Sequence, residues 1–398
     1  MSPPAPPEKL PRQFWLLLGG SFLNRLGTFV VPFLSLFLTA ERGFSYAQAG
    51  VTASLVGLGS VLAGPIGGTL ADRIGRKRTL ALGLLVASFF LLALLYARTP
   101  FWIGCAVFCC GLGDIFRPAM HAAVADLIEP KQRARAFGLL YWAHNFGFAL
   151  AMPLGGALAA GGYARLFYLD AGTSLVFAAL ILRAIAETRP AAPLETASEE
   201  KAPRDLRAAL RDPTFLLFCL MMMLMGVALL QVMSSLPLSM RAQGIDTKAY
   251  GALISINGFL IVGLQPFAER VVGKLRAARR LGMSIGMIGL GLALHALCKT
   301  PLQHGLAIAS WTLGEIALAG VAPAVVAHLA PVHLRGAYQG VYGMAWSGGA
   351  LLAPLLGPAL LEARGPQVLW LSAAGLCFLS AAGMLILGKH LERAATGL

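Results

Sequence analysis

Charge is scarce in this chain: Asp, Glu, Lys and Arg together make up 13% of its 398 residues. A soluble domain needs about 25% charged residues to solvate its surface, so a molecule wetted on all sides is excluded. Recognisable enzyme signatures are missing too. There is no phosphate loop, which argues against direct ATP drive, and no zinc-spaced His/Cys cluster, so neither an enzyme nor a metal site is expected. The six cysteines (Cys105, Cys109, Cys110, Cys219, Cys298 and Cys377) all sit in apolar stretches without metal spacing and read as small apolar helix residues. The N-terminal segment MSPPAPPEKLPRQ lacks the early basic region and cleavage site of a signal peptide. It reads as a polar lead-in to a retained apolar stretch starting near Phe14.

What is abundant is hydrophobicity, at 57% of residues. A membrane-crossing helix needs roughly 20 apolar residues, so this length accommodates about a dozen. Apolar runs between Gly, Pro and charge clusters predict spans near 14–38, 46–70, 79–97, 101–126, 136–160 and 163–186. A second set falls near 214–240, 248–268, 281–298, 303–327, 337–361 and 367–388. The expected fold class is an all-α integral membrane protein with twelve transmembrane helices in two pseudo-symmetric six-helix bundles. Its expected parts are a tail (1–13), an N-terminal bundle (14–186), a polar linker (187–213) carrying one amphipathic turn, a C-terminal bundle (214–388) and a second tail (389–398).

The net charge of +14 is distributed like a topology signal. Seven basic residues fall on one side (Arg42, Arg98, Arg165, Arg241, Lys248, Lys299 and Arg364), and Arg25 and Arg117 lie inside spans. All the others gather on the side of the termini. By the positive-inside rule both termini are expected in the cytoplasm, with the chain in the inner or plasma membrane of the cell. Nucleic acid is not expected as a partner.

The two halves echo one another. Arg133, Gly138, Gly147, Ala151 and Gly155 recur as Arg335, Gly340, Gly349, Ala353 and Gly357, each 202 residues on. Ala71-Asp72-Arg73 is echoed by Ala268-Glu269-Arg270. Five matches at one offset, in corresponding loops, indicate an internal duplication.

After the second span the chain reads Gly68-Thr-Leu-Ala-Asp72-Arg73-Ile-Gly75-Arg76-Lys77-Arg78. A basic anchor accounts for the cations but not for Asp72 or the two glycines. The stretch resembles the signature loop of the major facilitator superfamily, G-x-L-A-D-R-x-G-R-K, at the expected place between helices two and three. The resemblance implies that the loop closes the cytoplasmic side of the outward-open state. It makes Asp72 a gating contact, with Arg73 and Arg76 in its charge network and Asp126, Arg133 or Arg135 as partners.

The fifth span carries Gly147, Ala151, Pro153, Gly155 and Gly156. This resembles the antiporter signature of the drug-efflux branch, with Ala for one Gly and the Pro one residue late. Small-residue helix packing with a proline kink is the alternative. The usual fourth-helix Arg of drug transporters is absent, Val107 standing in its place. Asn24-Arg25 faintly resembles the peptide-symporter E-x-x-E-R motif without its glutamates.

Ionisable groups at membrane depth are costly, roughly 2.5–3.5 kcal/mol each on insertion scales, and so mark bundle interiors or wet cavities. Arg25, Asp114 and Glu315 lie mid-span in spans 1, 4 and 10, with Gln231 in span 7. In the superfamily these four spans line the cavity. Asp114, Arg117 and His121 share a helix face by spacing, and an Arg25–Asp114 pair is geometrically allowed. Asp170, His121 and His144 are further proton-coupling candidates, each with an ordinary structural role as the alternative. Asn24, Phe29, Phe33, Phe116, Trp142, Met222, Met225 and Gln231 are candidate cavity-wall residues.

The function expected is proton-coupled export of a hydrophobic or amphipathic small molecule. It would proceed by alternating access, with lipids and protons as partners, no cofactor beyond the proton gradient, and a monomeric state. Symport of a peptide or metabolite, and a non-transporting sensor on the same fold, are the alternatives.

Overall fold

The computed structural model describes residues 10–189, 209–331 and 334–396. Most of the expected linker, most of the N-terminal tail, and the side chains of Glu269, Arg335 and residues 389–396 lie outside what it describes. Among the described residues there is no strand.

The helices are α1 (Arg12–Leu26), α2 (Val30–Glu41), α3 (Tyr46–Ile74), α4 (Arg76–Tyr96), α5 (Pro100–Leu112), α6 (Phe116–Leu127), α7 (Arg133–Ala160) and α8 (Ala164–Ala184). After the linker come α9 (Pro213–Leu229), α10 (Gln231–Ser234), α11 (Leu236–Ala242), α12 (Thr247–Val272), α13 (Ala277–Leu294), α14 (Pro301–Leu318), α15 (Val321–Leu329) and α16 (Arg335–Thr396). Among the described residues ten segments are long and apolar enough to cross a membrane. The last of them, 52 residues long, contains two helices that part at Gly365, where φ is 81°. The 28-residue α7 is a further rod of spanning length.

Local chemistry sets where these rods start. Thr99-Pro100, Asp212-Pro213 and Thr300-Pro301 each place a capping oxygen before a proline at the first helical position. There the missing N–H costs nothing and φ is already helical. At α3, Ser45 and Gln48 form a reciprocal capping box.

Successive spans alternate direction, so one face carries the start of α1, the α3–α4 turn and the starts of α7 and α9. This is the termini side. The opposite face carries the α2–α3, α7–α8, α11–α12 and α13–α14 turns. The first bundle packs α1 on α7 and α8, and α3 and α4 on α5; the second packs α13 and α9 on α16. The bundles meet chiefly through α7 against α12 and α3 against α16.

That seam is confined to the far half. A Cβ on Gly258 of α12 would stand 2.7–2.9 Å from Ala149 of α7, and one on Gly156 of α7 would stand 2.8 Å from the Thr247 carbonyl. A Cβ on Gly57 of α3 would stand 2.9 Å from the Ala350 carbonyl of α16. Only glycine allows backbones so close. Toward the termini the same four helices separate: positions 64 and 68 of α3, 138 of α7, 263 of α12, and 340 and 343 of α16 have open space where a Cβ would go. Polar contacts add to the far-side closure. Glu362 accepts from the Ala47 N–H (2.6 Å), Arg241 donates to the Thr39 hydroxyl (3.5 Å), and the Tyr163 and Thr247 hydroxyls lie 3.5 Å apart. The molecule is closed on the far side and open toward its termini.

Candidate functional site

The four spans predicted to line the cavity are the four that break. Span 1 stops at Leu26 and resumes at Val30; span 4 passes through a 3-10 turn at Gly113–Ile115. Span 7 is interrupted at Leu230 and Ser235, and span 10 turns at Gly320, whose φ of 80° is the left-handed region. The span 1 and span 7 breaks are related by the 202-residue repeat. A broken helix within a membrane must have its freed backbone groups satisfied by protein or cavity water.

At the span 1 break protein satisfies them. Asp170 of α8, 5% exposed, accepts hydrogen bonds through Oδ2 from the N–H groups of Phe29 (3.0 Å) and Val30 (3.1 Å). It thereby caps α2 from another helix, opposite the positive end of that helix dipole. Asn24 donates to the Ser174 hydroxyl (2.7 Å), tying α1 to the same helix. At the span 7 break Gln231, 3% exposed, donates to the Ala353 carbonyl (3.0 Å) and accepts from Ser235 (2.7 Å). Asn24, Asp170 and Gln231 are thus engaged in holding broken spans against their bundles.

Asp114 sits on the 3-10 turn. Its carboxylate pairs with Arg117 (3.0 Å), as the shared face predicts, and accepts from the Ser60 hydroxyl (2.7 Å). The Arg25–Asp114 pair is not formed, because both oxygens of Asp114 already have local partners. Arg25 instead lies over the Phe148 ring (5.0 Å to the centroid), against Gly147, and its Nε has no partner among the described residues. Arg117, Asp170 and Asp114 are its charged neighbours, and Arg25 and Arg117 are those of His144. His121 packs edge-on against Phe137.

Glu315 is placed differently. It accepts from Asn257 Nδ2 of α12 (2.8 Å), which also donates to the Thr312 hydroxyl (3.2 Å). Among the described residues no cation lies within 4 Å of it. Tyr141 of α7 is its neighbour from the opposite bundle. One wall therefore carries Arg25, Arg117 and the Asp114 carboxylate, and the other a carboxylate with only neutral partners.

The expected cavity aromatics divide. Trp142 is partly exposed and packs on Phe146. Phe116 packs on Phe177 within the first bundle. Phe29 and Phe33 are buried in the far-side core against Gly155, and Met222 and Met225 are buried around α9, so these four are core in this conformation. The small residues of α7 serve two contacts: Gly147 admits Arg25 of the same bundle, while Gly156 lies on the seam with α12. Ala151 and Pro153 lie within the same continuous helix, Ala151 fully buried.

On the termini side Arg76 is the hub of the signature loop. It pairs with Asp72 (3.2 Å) and Asp126 (2.9 Å), and donates to the Ala71 carbonyl (3.0 Å). Gly75, with φ of 99°, lets the chain turn and brings its backbone against the Glu187 carboxylate. Arg133 donates to the Ile128 carbonyl (3.1 Å), and Arg135 is exposed at the start of α7. The position of Gly68 is open, and Asp72 is 67% exposed. Sequence reading missed Glu187 and Arg189. Glu187 accepts from the N–H groups of Arg76 (2.8 Å) and Arg189 (2.9 Å), and Arg189 reaches the Arg73 carbonyl (2.9 Å). These contacts join the first bundle to itself and to the start of the linker, not to the second bundle, as an open termini side requires.

One grouping of metal-type donors has no signature in the sequence spacing. The fold gathers His295, Cys298 and His304, with ligand atoms all within 4.8 Å of one another.

Two helical bundles joined by a glycine seam on one face and parted on the other, with charged groups at mid-depth between them, define a multi-pass membrane transporter. The chain belongs to the Major Facilitator Superfamily, whose model matches residues 17–321 and 232–396. It is 26% identical over 373 residues to a Na(+), Li(+), K(+)/H(+) antiporter of Planococcus maritimus, covering 85% of this chain and 87% of that protein. It is 28% identical over 345 residues to the multidrug resistance protein MdtH of Klebsiella pneumoniae (strain 342), covering 85% and 84%. The fold matches a crystal structure of a mutant of the nucleoside transporter NupG with a TM-score of 0.82 at 16% identity, covering 94% of this chain and all of that one.

Proposed function

We propose that this protein is a proton-coupled antiporter that exports a hydrophobic or amphipathic small molecule by alternating access. Its place would be the inner or plasma membrane, with both termini cytoplasmic, working as a monomer with no cofactor beyond the proton gradient. The observation carrying the reading is Glu315. Its mid-depth carboxylate is held by an amide, with no cation within 4 Å among the described residues, whereas Asp114 is paired with Arg117. In this reading Glu315 loads a proton when the far side is open and releases it to the cytoplasm from the state described above. Substrate competes for the same crevice. Similarity to an antiporter and to a multidrug resistance protein supports exchange and drug-like cargo.

The test is a proteoliposome assay with a panel of lipophilic cations and an imposed pH gradient. Wild-type protein should move substrate against the proton flux, and Glu315→Gln should abolish gradient-driven movement while still binding substrate. Protons and substrate moving the same way would instead establish the symport alternative, and binding without counterflow the sensor.

A further inference from the structure

The α13–α14 turn holds three metal-type donors that the transport reading does not use. His295 and His304 are fully buried, with rings stacked 5.1 Å apart between centroids, and Cys298 is 7% exposed beside them. The two Nδ1 atoms face each other at 2.9 Å, and the Cys298 thiol donates to the Leu294 carbonyl (3.1 Å).

The hydrogen positions follow from the neighbours. His304 Nε2 lies 3.1 Å from Gln243 Oε1, a carbonyl oxygen that can only accept, so Nε2 carries the proton and Nδ1 holds a lone pair. His295 Nδ1 then donates to His304 Nδ1, which leaves the His295 Nε2 lone pair buried without a partner.

We propose that His295 Nδ1, His304 Nδ1 and Cys298 Sγ bind one transition-metal cation of the Zn2+ class. Zinc bonds of roughly 2.0–2.1 Å to nitrogen in a tetrahedron set ligand nitrogens about 3.3 Å apart, so the rings need to part by only a few tenths of an ångström. On binding, the Cys298 thiol releases its proton and the sulfur lone pair bonds the metal. The His295 ring proton moves from Nδ1 to Nε2, so no oxidant or reductant is involved. Gln243, from the α11–α12 turn, is the positioning residue that fixes the His304 tautomer, the part outer-shell partners play in metal sites. Trp370 closes the other side, its ring centroid 4.9 Å from that of His295 and its Nε1 donating to Ser239 (3.3 Å). The ion would tie together the α13–α14 turn, against which Gln243 and Trp370 pack, on the face away from the crevice opening.

The experiment titrates tag-free purified protein in detergent with Co2+ and then Zn2+. One equivalent of Co2+ should produce a thiolate-to-metal charge-transfer band that Zn2+ bleaches. Cys298→Ser should lose the band, and Gln243→Leu should weaken Co2+ binding by about 10–100-fold. In the unmutated protein, Zn2+ should protect Cys298 from alkylation, read site by site by mass spectrometry, which tests the site whether or not the variants fold. No band and no protection, or a band that survives Cys298→Ser, overturns the assignment.

Discussion

Asp170 and Phe29, 141 residues apart in sequence, are joined by a 3.0 Å hydrogen bond from the backbone of one to the carboxylate of the other. The contact converts a break in the first span into a capped helix start. Replacing Asp170 with Ala leaves two buried N–H groups without an acceptor, at a cost of about 1–3 kcal/mol for each. Thermal unfolding in detergent should show a marked loss for Asp170→Ala and a smaller one for Asp170→Asn, which keeps one acceptor oxygen. If Asp170 coupled protons instead, both variants would fold normally and lose only the gradient response.

Glu315 and Asp114 should separate cleanly when neutralised. Glu315→Gln preserves a partner for Asn257 and should remove pH-driven flux by tenfold or more. Asp114→Asn removes a local charge pair and should leave the direction and stoichiometry of proton movement intact, with turnover reduced by a smaller factor. Proton-to-substrate ratios measured with a pH dye decide the matter; equal loss in both variants would sink the distinction.

Arg76 binds two carboxylates and a carbonyl through one guanidinium. Lysine has a single ammonium and cannot reproduce the fork, so Arg76→Lys should slow turnover severalfold while substrate affinity stays within about twofold. Glu187→Gln should have a milder effect of the same kind, because its amide oxygen still accepts from the backbone. Initial-rate measurements over a range of substrate concentrations separate the two quantities.

Glu362 lends its carboxylate to the start of α3 in the opposite bundle, where the helix dipole favours a negative charge. Glu362→Ala should weaken far-side closure. Cysteine labelling at position 47 from the far side should then rise severalfold in the variant. Unchanged labelling would show that the glycine seam closes this face unaided.

Much of this was legible in the sequence. The spans, the 202-residue echo and the signature loop follow from hydropathy and spacing, which survive without coordinates. The family resemblance set Arg76 and Asp126 in one charge network around Asp72, and only the structure shows that they pair directly. Asp170 reads in the sequence as an acid at membrane depth, and nothing local shows that its partners are backbone N–H groups 140 residues away. The Arg25–Asp114 expectation failed for a related reason. Sequence places charges at a depth but does not reveal that Ser60 and Arg117 reach Asp114 first. Span 7 breaks at Leu230 with neither glycine nor proline at that point, so no residue signal marks it. His295, Cys298 and His304 carry a spacing outside the familiar zinc patterns, and only the turn between α13 and α14 makes them neighbours.

Along the seam between α7 and α12, Gly156, Gly251 and Gly258 let backbone lie against backbone, beside the buried side chains of Met152, Tyr250 and Ile254. At those glycines no rotamer has to be unmeshed when the halves part, so there they separate as pages do rather than as gear teeth. Resistance then comes from dispersion spread along the contact, which falls away within a fraction of an ångström. A face sealed in that manner is tight to small ions when shut, yet has little to untangle when it lets go.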